Sequence, residues 1–369
     1  MAHFDEQMML RALELAERGL GRVEPNPAVG AIVTRGESIV GEGYHQFFGG
    51  PHAEVSALAA AGDKARGATL YVTLEPCCHF GKTPPCTDAV VAAGITRVVA
   101  AMQDPFTKVS GGGFAKLRAA GIKVEAGLLE KRAMKLNAPY LKLNLRALPF
   151  FIAKWAMTLD GKTATATGDS RWISCEMSRN LVHQLRDHVD AVLVGIRTAL
   201  ADNPLLTARL PNSRNPRRII LDSQARLPLD SRLVQSVEEA PLWVVCGKYA
   251  PAPQVKALAD AGCRMIQLPE THGRVDVRKL AELLGKESIT NVLIEGGGTV
   301  HASFFEERLV DRVMVFIAPK MLGGEHAPTP IKGPGVRSLE QAWTVADTKV
   351  THVGEDVMIE GDVLYREKE

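Results

Sequence analysis

Short apolar runs alternate with amphipathic stretches through the first 146 residues. Asp5–Gly19 carries apolar positions at helical spacing, with Asp5 placed to cap the start and Gly19 to stop it. Ala28–Thr34 and Ser38–Gly41 read as a hairpin turning on Arg35-Gly36-Glu37. His52–Ala61 reads as a helix, Ala68–Thr73 as a strand, and a further helix opens near Pro84-Pro85 and runs to Ala93. Arg97–Ala101, Phe114–Ala120 and Ile122–Ala126 continue as strand, helix and strand, and Leu129–Leu145 reads as one long helix. Strand and helix in alternation predict a three-layer α/β sandwich.

The pattern breaks at Ala147-Leu148-Pro149, which divides the chain into units 1–146 and 147–369. The second unit opens on an apolar strand, Phe150–Met157. Further strands are expected at Ala191–Gly195, Arg218–Asp222, Leu242–Cys246, Arg264–Gln267 and Asn291–Ile294. Helices are expected at Met177–His188, Pro253–Ala261 and Val277–Leu284. After Arg312–Ala318 only strand-like pieces follow, to Tyr365, so this is an α/β unit with an antiparallel C-terminal portion.

Composition narrows the function more than the fold. A formal net charge of +2 over 369 residues gives no long-range basic field, and aromatics are only 5%. A protein acting on nucleic acid, which wants a basic groove interleaved with aromatics, is therefore disfavoured, and small anionic ligands remain open. Met1 to Gly21 lacks a basic stretch followed by an apolar one, and no run reaches 18 apolar residues, so a soluble cytoplasmic protein is expected. Of six cysteines, Cys77, Cys78 and Cys86 crowd together while the other three are scattered, which suggests metal or catalysis over a disulfide framework.

That cluster belongs to the richest segment of the chain. It runs from His52-Ala53-Glu54 through Glu75-Pro76-Cys77-Cys78-His79 to Pro84-Pro85-Cys86. One imidazole and two thiolates form a three-ligand site in which a tetrahedral zinc keeps its fourth position for water. On a helix, residues i and i+2 point about 200° apart, so His52 and Glu54 do not chelate one ion together. Glu54 is free instead to carry a proton from water to a leaving amine, the division of labour of zinc deaminases with H-x-E and P-C-x-x-C. Cys77 fits the first thiolate, but position 80 is Phe80, and spacing alone leaves Cys78, His79 and Cys86 open as the remaining ligand. In the second unit, Asn291–Ile294 leads through Glu295-Gly296-Gly297-Gly298-Thr299 into a helix, a turn able to meet a phosphate or merely to be tight. Arg186, Arg209, Arg214, Arg217 and Arg218 can bind a sugar phosphate, though arginines are more often solvated surface.

The ordered set of motifs resembles the bifunctional deaminase–reductase family of riboflavin biosynthesis. The matching stretches in the first half are Pro25-Asn26-Pro27, Gly43-Tyr44-His45, His52-Ala53-Glu54, Leu74-Glu75-Pro76-Cys77, Lys82-Thr83-Pro84-Pro85-Cys86 and Gln103-Asp104-Pro105. In the second half they are Leu159-Asp160-Gly161-Lys162, Ser170 with Trp172-Ile173, Ala201-Asp202-Asn203-Pro204, Glu295-Gly296-Gly297 and Ile317-Ala318-Pro319-Lys320.

The resemblance implies a cytidine-deaminase-like N-terminal domain with His52, Cys77 and Cys86 on Zn2+ and Glu54 as proton shuttle. It puts Asn26 and His45 at the pyrimidine and Lys82, Thr83 and Asp104 at the ribose phosphate. It implies a C-terminal domain similar to dihydrofolate reductase that uses NADPH, with Lys154, Asp202 and Glu295 at the reacting sugar. Lys154 and Glu295 are expected at strand ends. Ser170, Arg186, Leu206, Arg209 and Glu295 would contact substrate. Ala156, Trp172, Thr198, Asp202 and Ser223 would contact NADPH, together with a loop of Gly297, Gly298, Thr299, Val300, His301, Ala302 and Ser303. The partners implied are a pyrimidine ribotide and a second copy of the chain, with neither nucleic acid nor membrane. One departure stands out: Phe106-Thr107 follows Asp104-Pro105 where the family commonly has Asn-Pro.

Overall fold

The computed structural model describes residues 2–81, 84–106 and 110–365. The chain divides into two compact units, Met1–Ala147 and Leu148–Glu369.

The first unit runs α1 (Ala2–Glu17), β1 (Gly30–Arg35), β2 (Ser38–Tyr44), α2 (Ala53–Ala61), β3 (Thr69–Val72), α3 (Cys86–Ala92), β4 (Arg97–Ala100), α4 (Gly112–Ala119), β5 (Lys123–Ala126), α5 (Glu130–Leu136) and α6 (Ala138–Arg146). Its five strands lie in the order β2-β1-β3-β4-β5. β1 is antiparallel to β2 and β3, and β3, β4 and β5 are parallel. Side chains alternate across a sheet, so neighbouring positions on a strand report opposite faces. A Cβ on Gly30 would lie 2.0 Å from the Ala12 carbonyl oxygen of α1. One on Gly43, which pairs with Ala31, would lie 2.5 Å from the Ala53 carbonyl oxygen of α2. Glycine at both positions lets α1 and α2 press against opposite faces of the sheet, which gives the three layers.

Two sequence expectations are corrected here. α1 begins at Ala2, ahead of Asp5, so Asp5 does not cap it. Its carboxylate instead accepts from Tyr71 Oη (2.5 Å) and from both terminal nitrogens of Arg97 (2.9 and 2.8 Å). The single helix expected over Leu129–Leu145 is two, α5 and α6, broken at Asn137 with proline in the first turn of α6. Proline cannot continue a helix it did not start, because its ring displaces the preceding turn. The buried Asn137 uses the break: its Oδ1 accepts from Ala28 N (2.8 Å) and its Nδ2 donates to Ala28 O (2.9 Å), which fixes the loop holding Asn26.

The second unit runs β6 (Phe150–Thr158), α7 (Glu176–His188), β7 (Ala191–Gly195), α8 (Ile196–Asp202), β8 (Arg217–Leu221), α9 (Arg232–Gln235), β9 (Leu242–Gly247), α10 (Ala252–Asp260), β10 (Arg264–Leu268), a small β11–β12 pair (Glu270–Thr271, Arg274–Val275), α11 (Val277–Lys286), β13 (Asn291–Gly296), α12 (Gly298–Glu306), β14 (Val310–Ala318), β15 (Thr344–Val353) and β16 (Asp356–Leu364). Nine strands form one sheet in the order β10-β9-β8-β7-β13-β6-β14-β16-β15. Every pairing from β10 to β14 is parallel, and the last two are antiparallel. The central strands are covered on both faces: along β7, Ala191 and Leu193 join one core, Val192 and Val194 the other. That double cover is why they read as continuous apolar runs.

The Asp5–Arg97 pair has a measurable signature. The Arg97 guanidinium lowers the Asp5 pKa from 3.8 to about 2, with partial burial opposing and Tyr71 assisting. A carboxyl depressed in the folded state stabilises the fold above its unfolded pKa and loses that contribution as pH falls through its folded value. Discounted for solvent screening, the contribution is about 1 kcal/mol. Asp5→Asn should therefore weaken hydrogen-exchange protection of β3 and β4 by that amount at pH 7. The gap between the two proteins should close as pH falls from about 4 to about 2.

Candidate functional site

In the first unit, three ligand atoms converge where α2 and α3 begin. His52 occupies the N-cap of α2 in extended backbone (ψ 162°), Cys86 opens α3, and Cys77 lies on the loop after β3. His52 Nδ1 is 3.2 Å from Cys86 Sγ and 3.6 Å from Cys77 Sγ, and all three atoms lie within 4.8 Å of one another. The site thus gathers Cys86, one of the three candidates that spacing left open, and not Cys78 or His79. Cys86 N donates to Cys77 Sγ at 3.3 Å. The Cys86 side chain first, then His52 and that backbone bond, hold the Cys77 thiol far below the usual range against burial, while the Cys77 sulfur and burial push Cys86 up. His52 is raised by its bond to Cys77.

Glu54 is only 4% exposed and lies outside that ligand cluster. Its carboxyl faces the same sulfurs, with a hydrogen bond to Cys86. The 200° helical separation expected between His52 and Glu54 does not hold, because His52 precedes the helix in an extended conformation. Burial, with the Cys77 charge adding, pushes the Glu54 pKa to about 7, and His52 opposes this.

The side walls are built from polar pairs. His45 Nδ1 faces the Pro51 carbonyl (3.0 Å), so it carries the proton, and Nε2 accepts from Asn26 Nδ2 (3.1 Å). Its ring packs edge-on to His52 at 5.3 Å, and burial lowers its pKa. Asp104 is buried, which raises its pKa, and its Oδ1 accepts from Phe106 N and Tyr140 Oη, both at 2.9 Å. Phe106 itself stacks obliquely on His79 at 6.2 Å. Lys82 and Thr83 lie outside the described residues. Glu75, which no catalytic argument singled out, is the organiser. Buried just before Pro76-Cys77, its carboxylate accepts from Asp104 N (3.2 Å), Gly111 N (3.0 Å) and Phe114 N (3.0 Å).

In the second unit a cavity of about 810 Å³ opens at the C-terminal ends of β7, β8 and β13, beside β6. Lys154, Ala156, Ser170, Thr198, Asp202, Ser223, Glu295, Gly297, Gly298, Thr299, Val300, His301 and Ser303 line it. Ala302, Trp172, Arg186, Leu206 and Arg209 do not. Residues 298–303 are not a loop but the first turns of α12, with Gly297 (φ 49°) at its N-cap. Ala302 is therefore turned into the core, and His301 is buried between the carbonyls of Pro330 (2.9 Å) and Ile294 (3.2 Å). Leu206, with φ 57°, buries its side chain in the core, leaving its backbone as the part able to meet a ligand. Lys154 lies within β6 rather than at its end.

Charge concentrates at the cavity floor. Glu295, on β13, takes a bidentate pair from Arg186 (2.5 and 2.6 Å), whose Nη1 also donates to Thr207 O. Burial pushes the Glu295 pKa up, but the charge and hydrogen bonds of Arg186, with the Lys154 charge adding, together outweigh it and lower the pKa. Lys154 stands nearby with its ammonium 5.5 Å from the Phe316 ring centroid, and burial pushes its pKa down. Asp202 is raised by burial. Sequence reading missed Arg197, Arg226, Arg274 and Lys332 on the cavity wall, since they come from separate parts of the chain, Arg197 on α8 and Arg274 on β12, with no motif to mark them. It also misjudged Arg218, which is fully buried and donates to the carbonyls of Leu205, Ser236 and Ala240.

Comparison with known proteins shows the family of both units. Residues 149–359 match the RibD C-terminal domain, and residues 2–102 match the cytidine and deoxycytidylate deaminase zinc-binding region. A riboflavin biosynthesis protein RibD from Aquifex aeolicus is 44% identical over 96% of this chain and 97% of its own. The Escherichia coli RibD is 42% identical over 96% and 98%. The chain belongs to the RibD family. Among solved RibD-family structures, one form of the Acinetobacter baumannii RibD has a TM-score of 0.87 at 37% identity, covering 99% of this chain and all of that one. A diaminohydroxyphosphoribosylaminopyrimidine deaminase/5-amino-6-(5-phosphoribosylamino)uracil reductase from Thermotoga maritima has a TM-score of 0.85, also at 37% identity, over 98% and 99%. RibD membership joins a zinc-binding deaminase domain to a reductase domain, and the fold expectations for both stand. No helix among the described residues is long and apolar enough to cross a membrane.

Glu75→Ala would leave three backbone donors without their acceptor, those of Asp104 and Phe114 buried and that of Gly111 partly so. A loss of about 3–5 kcal/mol of stability is expected, read as a fall in the melting temperature of the first unit. Glu75→Gln, which keeps one acceptor oxygen, should lose less.

Proposed function

We infer that this chain is a bifunctional enzyme of riboflavin biosynthesis, a deaminase in its first unit and a reductase in its second. The first step is hydrolysis of 2,5-diamino-6-ribosylamino-4(3H)-pyrimidinone 5′-phosphate, in which water oxygen replaces the 2-amino group and ammonia leaves. The second reduces the ribosyl group to ribityl with NADPH, giving 5-amino-6-(5-phosphoribitylamino)uracil. The observation that supports the reading most is a buried Glu54 carboxyl with pKa about 7 beside three converging ligand atoms.

His52, Cys77 and Cys86 are the proposed holders of zinc. One imidazole nitrogen and two sulfurs at mutual reach, one sulfur already favoured as thiolate, are the donor chemistry that zinc prefers. When bound there, zinc supplies the Lewis acidity that makes water nucleophilic near neutral pH. Glu54, poised near neutrality, takes a proton from the attacking water and returns it to the departing amine. Asn26 and His45 orient the pyrimidine edge, His45 keeping its proton on Nδ1 so that Asn26 stays fixed. Lys82, Thr83 and Asp104 are proposed at the ribose phosphate end, Asp104 as acceptor for a hydroxyl.

In the second unit, the first turn of α12 offers backbone N–H groups to a dinucleotide phosphate. Ala156, Trp172, Thr198, Asp202, Ser223 and residues 297–303 are the proposed cofactor contacts, with Ala302 acting only through its backbone. The cofactor supplies hydride to C1 of the open-chain sugar. Lys154 and Glu295, adjacent and opposite in charge, are proposed to hold and move the accompanying proton, with Asp202 on the wall of the same cavity. Ser170, Arg186, Leu206 and Arg209 are proposed on the substrate side, Arg186 chiefly by fixing Glu295. A cytoplasmic location and assembly as a homodimer complete the proposal, the latter readable by sedimentation.

Mass-resolved product analysis of zinc-loaded protein tests the whole. Without NADPH, product one mass unit heavier than substrate should accumulate with one ammonia released; with NADPH, a further two units should appear. Failure of the first shift removes the deaminase reading, and failure of the second removes the reductase reading. Glu54→Gln should keep one zinc per chain and lose about 10²–10⁴-fold in ammonia release. Chelation of the metal should abolish ammonia release while NADPH oxidation on the deaminated intermediate continues.

A further inference from the structure

The segment from Ser170 to Cys175 has no helix or strand, yet cations from other elements hold its backbone carbonyls. Lys320, two residues past the end of β14, donates Nζ to the carbonyls of Trp172 (2.7 Å) and Ile173 (3.0 Å). Arg179 on α7 donates to Ser174 O (2.7 Å) and stands 4.6 Å from the Trp172 ring centroid. A contact of opposite sign runs the other way. Asp160, two residues past the end of β6, accepts from Leu322 N (3.2 Å) and Gly323 N (2.6 Å), and from Thr158 Oγ1 (2.5 Å). β6 and β14 are parallel neighbours whose last residues, Thr158 and Ala318, pair, so the two loops leave the sheet side by side. Leu159 N to Lys320 O (2.8 Å) and Thr163 N to Pro328 O (2.9 Å) join them further.

The acid of one loop thus grips the other loop's N–H groups, and the base of the second grips the first loop's carbonyls. Both loops wall the 810 Å³ cavity, through Thr163, Ala164 and Ser170 on one side and Pro328, Thr329 and Lys332 on the other. Irregular exposed segments of this kind keep their shape only through such bonds.

We propose that Lys320 is a positioning residue for the reductase step, which with Asp160 forms a reciprocal clasp that sets the wall of the dinucleotide cavity. The proposal rests on the reductase reading above. Lys320 touches no reacting atom; it acts through the Ser170–Ile173 backbone. Its charge-assisted bonds are lost in Lys320→Met, which keeps the apolar stem, and are re-formed in Lys320→Arg.

The full chain is tested in three forms, unmodified, Lys320→Met and Lys320→Arg, by NADPH fluorescence titration, steady-state reduction of the deaminated intermediate, ammonia release and thermal melting. Lys320→Met should raise Kd and KM for NADPH about tenfold, with kcat at saturation within about twofold. Ammonia release should be unchanged, and Lys320→Arg should recover most of the affinity. An unaltered Kd in Lys320→Met overturns the clasp, as does a loss that Lys320→Arg fails to rescue. If Lys320→Met does not fold, Asp160→Ala takes its place and must raise the same Kd; an unchanged value there is equally fatal. Failure of the unmodified chain to bind NADPH would instead bring down the reductase reading itself.

Discussion

The deaminase half depends on bringing three soft or borderline donors to one point beside a carboxyl that does not join them. Two of the donors lie at helix starts and the third on the loop after β3, so no single element can supply the site. The sheet fixes where β3 ends, and Glu75 then ties that end to the backbone at Asp104, Gly111 and Phe114. Opposite the sulfurs, glycine at position 43 lets the first turn of α2 lie against β2, which carries His52 and Glu54 inward. Burial of Glu54 is the consequence, and burial is what lifts its proton affinity into the range where it can both accept and give. The same packing that makes the unit stable therefore sets the proton affinity of this carboxyl.

The reductase half solves a different problem. Its cavity contains a carboxylate flanked by two cations, Arg186 in bidentate contact and Lys154 near by. Removing three charges from water costs more than one pairing returns unless hydrogen bonds are also satisfied. Arg186 meets that condition by donating to Thr207 O as well as to both Glu295 oxygens, and so is committed to the protein. Burial lowers the pKa of Lys154, with the Glu295 charge opposing and the Arg186 charge assisting. Arg186 and Glu295 thus form a fixed pair, with Lys154 the neighbouring cation whose charge burial disfavours.

Much of this was legible in the residues. Strands of the second unit read as unbroken apolar runs because both faces are covered, as the split of β7 between two cores demonstrates. His52, Glu54 and Cys77 stood out because their chemistry has few other uses at that spacing. What escaped was whatever depends on distant partners. Asp5 has the residue type of a cap, but Arg97, remote in sequence, claims it. Asn137 looks like an ordinary helical position until Ala28 arrives to pair with its amide. Spacing could not choose among Cys78, His79 and Cys86, because the choice is made by where α3 starts in space. Leu206 and Ala302 were assigned as contacts by position alone, and the core reclaims both side chains.

Phe106 shows how such tertiary claims bear on the departure from the family. A family asparagine there would offer an amide to the ligand; Phe106 offers only its backbone N–H, and Asp104 accepts it. Tyr140 donates to the same Asp104 oxygen, so this carboxylate is anchored by the protein. Its second oxygen faces no donor from Phe106, and burial already raises the pKa of the group. The loss of one polar side chain is thus accompanied by a backbone tie from Phe106 to Asp104, which Tyr140 reinforces on the same oxygen.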